Sequence, residues 1–276
     1  MRLLKLNSNS YNRSDDMATS DRAVARLALV LEYHGGNYHG FQSQKNVPTI
    51  QDELETAIRS FSGEVVRVRG ASRTDAGVHA KGQVVDFISK SCFLENTWIR
   101  GLNYYLPWDI KVQKLAKVPD MFHSRRNALS RTYRYNVLNR EIQSPLLQKD
   151  SGWIRHSLDE TAMGKASSML VGEHNFSAFC SQLPQGRSPV RKIMHWEVWR
   201  EGDMVLFEVK ANAFLPHQIL RTGGVLVDIG KGVVPVATIK KMLEGSIIRT
   251  KSFTALPSRG LCLEKVEYDK SPFGEN

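Results

Sequence analysis

Ile193-Met194-His195-Trp196-Glu197-Val198-Trp199-Arg200 and Met204-Val205-Leu206-Phe207-Glu208-Val209-Lys210 are two alternating runs joined by Glu201-Gly202-Asp203. A period of two puts apolar side chains on one face of a strand, and a short joint with a central glycine turns the chain back. The pair reads as a β-hairpin, so the sheet is at least partly antiparallel. On the amino-terminal side the pattern predicts a helix over about Leu158 to Val171, with Ser157 as cap, Glu160 completing a capping box and Gly172 as terminator. On the other side it predicts helices over His217 to Ile229 and near Thr238 to Leu243, then a strand over Leu261 to Tyr268.

The first half has the same grammar. A strand is expected over Ala23 to Tyr33, a turn at Gly35-Gly36-Asn37, and a helix opened by Pro48-Thr49. Ile50, Leu54, Ala57, Ile58 and Phe61 share that helix's apolar face, Thr49 can cap it, and Asp52 stands where a capping-box acid would. Strands follow at Glu64 to Arg69 and Gln83 to Ile88, a helix starts near Leu94, and Arg131 to Leu138 alternates as a strand. Strands and helices mixed in both halves make an α+β protein with a largely antiparallel sheet. We divide the chain into a disordered extension (1–22), an amino-terminal α+β half (23–115) and a carboxy-terminal α+β half (116–276).

The chain of 276 residues is 41% hydrophobic, enough to bury a core, and carries a net charge of +10. A protein this basic is expected to meet an anion, nucleic acid first. From Lys111 to Arg140 eight basic residues (Lys111, Lys114, Lys117, Arg125, Arg126, Arg131, Arg134, Arg140) face the single acid Asp120, beside Phe122, Tyr133 and Tyr135. Arginines among aromatics suit a surface that grips phosphates and stacks on unpaired bases. Cys92, Cys180 and Cys262 are odd in number and far apart, which points to a reducing compartment rather than a disulfide framework. No apolar run is long enough for a membrane span. The first two dozen residues lack a signal-peptide core, and Asp15, Asp16 and Asp21 count against a transit peptide, so the expected location is cytoplasmic, with a plastid or mitochondrial matrix as the alternative.

The densest set of special residues is Gly70-Ala71-Ser72-Arg73-Thr74-Asp75-Ala76-Gly77-Val78-His79-Ala80-Lys81-Gly82-Gln83, between two expected strands. Glycines there permit positive φ or close approach. Asp75 is the one carboxylate, two residues from Arg73, and is expected to be anionic, which fits a nucleophile or base. Phosphate-loop, dinucleotide and Cys-x-x-Cys motifs are missing, and His34 and His39 lack a convincing ligand set, so no cofactor or metal is expected.

Ser72-Arg73-Thr74-Asp75-Ala76-Gly77-Val78-His79, continued by Gly82-Gln83-Val84-Val85-Asp86-Phe87, resembles the signature loop of the TruA family of tRNA pseudouridine synthases, with Ser72 in place of glycine. Further blocks resemble the family in order: Tyr33 to Gln44, Asn103 to Ile110, Phe122 to Arg126, Arg131 to Tyr135, Gly172 to Phe179 and Phe214 to Arg221. The Ser72 departure is expected to touch no chemical group.

The resemblance implies the pseudouridine synthase fold, a central mostly antiparallel mixed sheet flanked by helices with an RNA-binding cleft, and isomerisation of uridine at positions 38 to 40 of the tRNA anticodon stem-loop. It implies Asp75 as catalytic aspartate, Arg73 as the arginine that helps displace the base, and Tyr133 as the tyrosine packed on it. Arg221 would pair with the carboxylate and Leu263 would form an apolar wall. Phe122, His123, Ser124, Arg125 and Arg126 would contact RNA, with Arg187 and Ser188 as further contacts. It also implies a homodimer whose two subunits share one tRNA. A catalytically silent RNA-binding protein of this fold, or the same reaction on another RNA, are the alternatives.

Overall fold

The computed structural model describes residues 24–181, 183, 185–186, 188–246 and 253–274, so the expected extension and Arg187 lie outside the described residues. Among the described residues, ten strands form one sheet: β1 (Ala25–Tyr33), β2 (Arg69–Gly70), β3 (His79–Ser89), β4 (Ile110–Val118), β5 (Ala128–Asn139), β6 (Gly152–Ile154), β7 (Gly172–Asn175), β8 (Val190–Glu201), β9 (Met204–Ala211) and β10 (Leu261–Tyr268). The order is β4-β1-β3-β10-β5-β9-β8-β7, with β2 paired to β3 and β6 to β5. Only β10–β3 and β5–β6 are parallel; the other pairs are antiparallel. The last strand is thus inserted between β3 and β5, which makes the sheet continuous across both halves of the chain. Helices α1 (Ile50–Ser62) and α2 (Glu95–Tyr105) pack on each other, with α2 against β4, while α3 (Glu160–Ser168) and α4 (Gln218–Gly230) pack on each other, with α3 against β8; α5 (Thr238–Leu243) follows.

Local chemistry explains most element ends. Thr49 accepts from the Asp52 amide at the start of α1, and Gly63 closes it in the left-handed region at φ +76°. The hairpin forms as expected, with a register shift between Ile193 and His195. Helix α3 is shorter than its pattern. Its cap is Asp159, whose carboxylate accepts from the Ala162 amide, because Leu158 is pulled into the core and its own amide donates to Asn139 Oδ1. The helix closes at Met169, where residues 169–171 bond three residues back, and Gly172 opens β7 instead.

Glu64 to Val68 is not a strand. The Glu64 carboxylate is occupied by Ser89, the Lys90 amide and Ser91, and the Val68 amide donates to Glu55, so side chains replace the ladder there. Strand β4 was not anticipated. Ile110, Val112, Leu115 and Val118 are buried, a pattern shifted out of phase by an irregularity opposite Val30/Leu31. It is an edge strand, and three of its residues are the lysines of the basic run, as edges commonly carry.

Candidate active site

The loop 71–78 leaves β2 and enters β3, and hydrogen bonds from neighbouring segments hold it. Buried Gln83 accepts from the Ser72 amide (3.1 Å) and donates to the Ser72 carbonyl (2.7 Å). The Thr74 hydroxyl meets the buried Tyr33 hydroxyl at 2.8 Å, and the Phe41 amide donates to the Thr74 carbonyl. The Gly77 amide reaches Tyr38, and an Arg131 nitrogen donates to the Ala71 carbonyl at 3.0 Å. Gly40, at φ +91°, lies so close that a Cβ there would stand 2.7 Å from the Thr74 oxygen. Of the three loop glycines only Gly77 has positive φ (+78°); Gly70 and Gly82 serve close approach, to Phe41 and to Glu264. A carboxylate on such a frame is held still.

Asp75 faces a cleft of about 380 Å³ whose lining includes Arg73, Arg125, Arg131, Tyr133, Arg191 and His217. Among the described residues, Asp75 is the one carboxylate of that lining. Its pKa is raised: burial pushes it up, and the His217 charge and amide pull it back only in part. That reverses the expectation of a lowered value from Arg73, which stands exposed and plays no part in the shift. Tyr133 is buried, its ring edge-on to Phe214 at 5.4 Å, and its hydroxyl lies 2.7 Å from Ser72 Oγ. Ser72 therefore touches a chemical group after all. Burial raises the Tyr133 phenol to about 12, so it stays protonated at neutral pH.

Several expected contacts change. Arg221 makes no ion pair with Asp75; it lines a small separate cavity with Phe179, Val225 and Met242. The reason is helical phase: His217 to Leu220 line the cleft, and the next residue is rotated by about 100° to another face. The position facing the cleft is Leu220. Leu263 is fully buried opposite Tyr133 in the β5–β10 ladder, and Leu261 reaches the cleft instead. Ser124 is buried too, its amide donating to Asp86, its hydroxyl to the Arg69 carbonyl, and its carbonyl accepting from Tyr268, so nothing is left for RNA.

Phe122 is half-buried with its ring 5.4 Å from Tyr268, and His123 is half-buried. Arg126 is exposed, and Arg125 is exposed on the cleft. Ser188 is exposed and bonds the Val190 amide, outside the cleft lining. Arg131 is 7% exposed and donates to the carbonyls of Ala71, Arg125, Ala128 and Asn212, so it is a tie between segments. Sequence reasoning missed Arg191 and His217 as cleft residues, although His217 stands within the block Phe214 to Arg221.

The segment that carries Phe122 to Arg126 is anchored by Asp86. This fully buried carboxylate accepts from Arg26 (2.8 Å), Arg69 and the Ser124 amide (2.9 Å). Burial pushes its pKa up, but these donors outweigh burial and the net shift is downward.

A second cavity, of about 460 Å³, holds His34, His79 and Asp150, whose polar atoms lie within 4.8 Å of one another. His79 Nδ1 accepts from the Gly35 amide (3.0 Å), so its proton sits on Nε2, 3.0 Å from the Arg259 carbonyl. Neither nitrogen has a lone pair to offer a cation in this tautomer. The cluster reads as a hydrogen-bonded brace between the ends of β1, β3 and β10.

The sequence profile of the tRNA pseudouridine synthases matches residues 29–126 and 166–269. The chain belongs to the tRNA pseudouridine synthase family. It is 41% identical over 243 residues to tRNA pseudouridine synthase A of Nitrosococcus oceani, covering 88% of this chain and 93% of that one. With the enzyme of the same name from Paraburkholderia phymatum it shares 39% over 248 residues, covering 90% and 92%. With that of Coxiella burnetii it shares 40% over 245 residues, covering 89% and 94%. This tRNA pseudouridine synthase family member is an isomerase by class, and the cleft just described includes the loop that carries the family resemblance.

Proposed function

We propose that this protein isomerises uridine to pseudouridine in the tRNA anticodon stem-loop, at positions 38 to 40, with Asp75 as the group that acts on the ribose. The observation that carries this reading is a single carboxylate facing a cleft of cationic side chains beside a buried tyrosine. The reaction breaks the bond from ribose C1′ to N1, turns the uracil and rejoins it through C5, with no external group and no redox change. The base must leave its stack first, at a cost on the order of a few kcal/mol. Contacts from Arg73, Arg125 and Arg191 to phosphate, and of the base to Tyr133 and Phe214, offset that cost; base–aromatic stacking contributes about 1–3 kcal/mol. Asp75 then attacks C1′ or removes a ribose proton, and both routes need its ionised form.

Asp75→Ala tests the assignment. With unmodified tRNA, chemical blocking and primer extension should detect no product, while tRNA affinity stays within a few-fold of the parent. Normal turnover by the variant would remove Asp75 from the mechanism.

We further infer a homodimer that shares one tRNA between subunits, as the family resemblance implies. Among the described residues no helix is long and apolar enough to cross a membrane. We assign the protein to the cytoplasm, with an organelle matrix as the other outcome of a localisation experiment on the full chain.

A further inference from the structure

His217 is the last residue before α4, with φ +58° and ψ 11°, left-handed backbone that a residue with a Cβ seldom adopts. The helix does not require it, since the His217 side chain makes no capping hydrogen bond. The turn is locked from outside. Gln218 Oε1 accepts from the Leu215 amide at 2.8 Å, the Gln218 amide donates to the Leu215 carbonyl at 3.1 Å, and the Ser181 amide donates to the Pro216 carbonyl at 3.2 Å. Held this way, the imidazole enters the cleft with Nε2 4.0 Å from Asp75 Oδ1. Backbone strain that delivers an imidazole to a carboxylate points to function.

We propose that His217 is the charge partner of Asp75, a positioning residue that keeps the carboxylate ionised and aimed at the bound nucleoside. The inference rests on Asp75 being the acting group. The other charged or titratable groups facing the pair are Arg73 from the loop, Arg131 and Tyr133 from β5, Arg125 from the preceding segment and Arg191 from β8. Of all these groups only His217 enters the balance that sets the Asp75 pKa, and it is the one whose nitrogen stands 4.0 Å from the carboxylate. Burial raises the Asp75 pKa and His217 opposes the rise. Removing the imidazolium therefore lifts the pKa further, and the reactive anion appears only at higher pH. Once the pH is high enough for Asp75 to ionise without help, the difference should vanish.

His217→Asn tests this, since Asn tolerates left-handed backbone and carries no charge. Single-turnover rates on unmodified tRNA are measured from pH 5.5 to 9, with tRNA affinity and melting temperature in parallel. We expect the acid limb of the rate to move up by about one pH unit, a roughly tenfold loss on the acid side of the profile that closes as the pH rises, at unchanged affinity. His217→Lys should return the limb toward the parent. An unshifted limb, a loss equal at every pH, or a limb shifted equally in the Asn and Lys variants overturns the proposal. Asp75→Ala is run beside them: if it still turns over, the reading of Asp75 itself fails, whereas a dead Asp75→Ala with an unshifted Asn limb sinks only the pairing.

Discussion

Replacing Arg131 by Met separates a tie from a phosphate grip. The methionine keeps the apolar stem but removes a guanidinium that donates 2.8 Å bonds to Asn212 and Arg125, a 3.0 Å bond to Ala71 and a 3.2 Å bond to Ala128. A hydrogen bond to a charged group contributes about 1.5–3 kcal/mol, and a buried acceptor left bare costs about 1–3 kcal/mol. Four bonds from one fork do not add, and relief from burying a charge offsets part of the loss. We expect a net destabilisation of about 2–4 kcal/mol, at the upper end of what single substitutions do. For a chain of this size that lowers the melting temperature by about 5–15 °C.

The assay is urea denaturation followed by circular dichroism, with Arg126→Met as an exposed control expected within about 0.5 kcal/mol of the parent. The reasoning fails if Arg131→Met unfolds with the parent while its tRNA binding weakens and becomes less sensitive to salt. That is the behaviour of an arginine whose partner is a phosphate.

Ser72→Ala and Tyr133→Phe remove the two ends of one 2.7 Å hydrogen bond, so the double variant should turn over no more slowly than the worse single one; multiplying losses would show that the groups act apart. Asp86→Asn should lose about 3 kcal/mol near neutral pH, as breaking a buried ion pair does. Since the folded pKa of Asp86 is lowered, its contribution is complete above the unfolded value near 4 and is lost as pH falls through the folded value, so parent and variant should converge in acid. Asp75→Asn should do the opposite. Its raised folded pKa makes the anion a cost that is full at pH 8 and absent below about pH 4, so the variant should melt no lower than the parent at pH 8 and match it in acid. Arg73→Gln and Arg191→Gln should each reduce the slope of log affinity against log salt by about 0.7–0.9, and an unchanged slope would take that arginine off the RNA path.

The elements legible in the sequence are those whose signals are local. The hairpin, the cap at Thr49 and the loop around Asp75 each declare themselves within a dozen residues, because alternation, a side-chain cap and clustered glycines act over that range. Strand β4 did not, since a register shift against β1 put its apolar residues out of phase. The start of α3 did not either, as the choice between Ser157 and Asp159 was made by Leu158 entering a core built from distant residues. Charge was the least readable. Arg131 and Ser124 look like RNA contacts in any one-dimensional count, yet both face backbone or buried partners.

The same limit explains the partner of Asp75. A cation late in the sequence was expected there, and which residue supplies it depends on where α4 begins and in what backbone conformation. One residue of helix turns a side chain by about 100°, enough to exchange the cleft for a neighbouring cavity. Arg221 falls on the far side of that rotation and Leu220 on the near side, which leaves the cleft wall apolar at the point where a guanidinium was expected. An apolar wall raises the cost of the anion, in keeping with the raised pKa of Asp75, and makes a charge from His217 matter more than it would beside a fixed arginine.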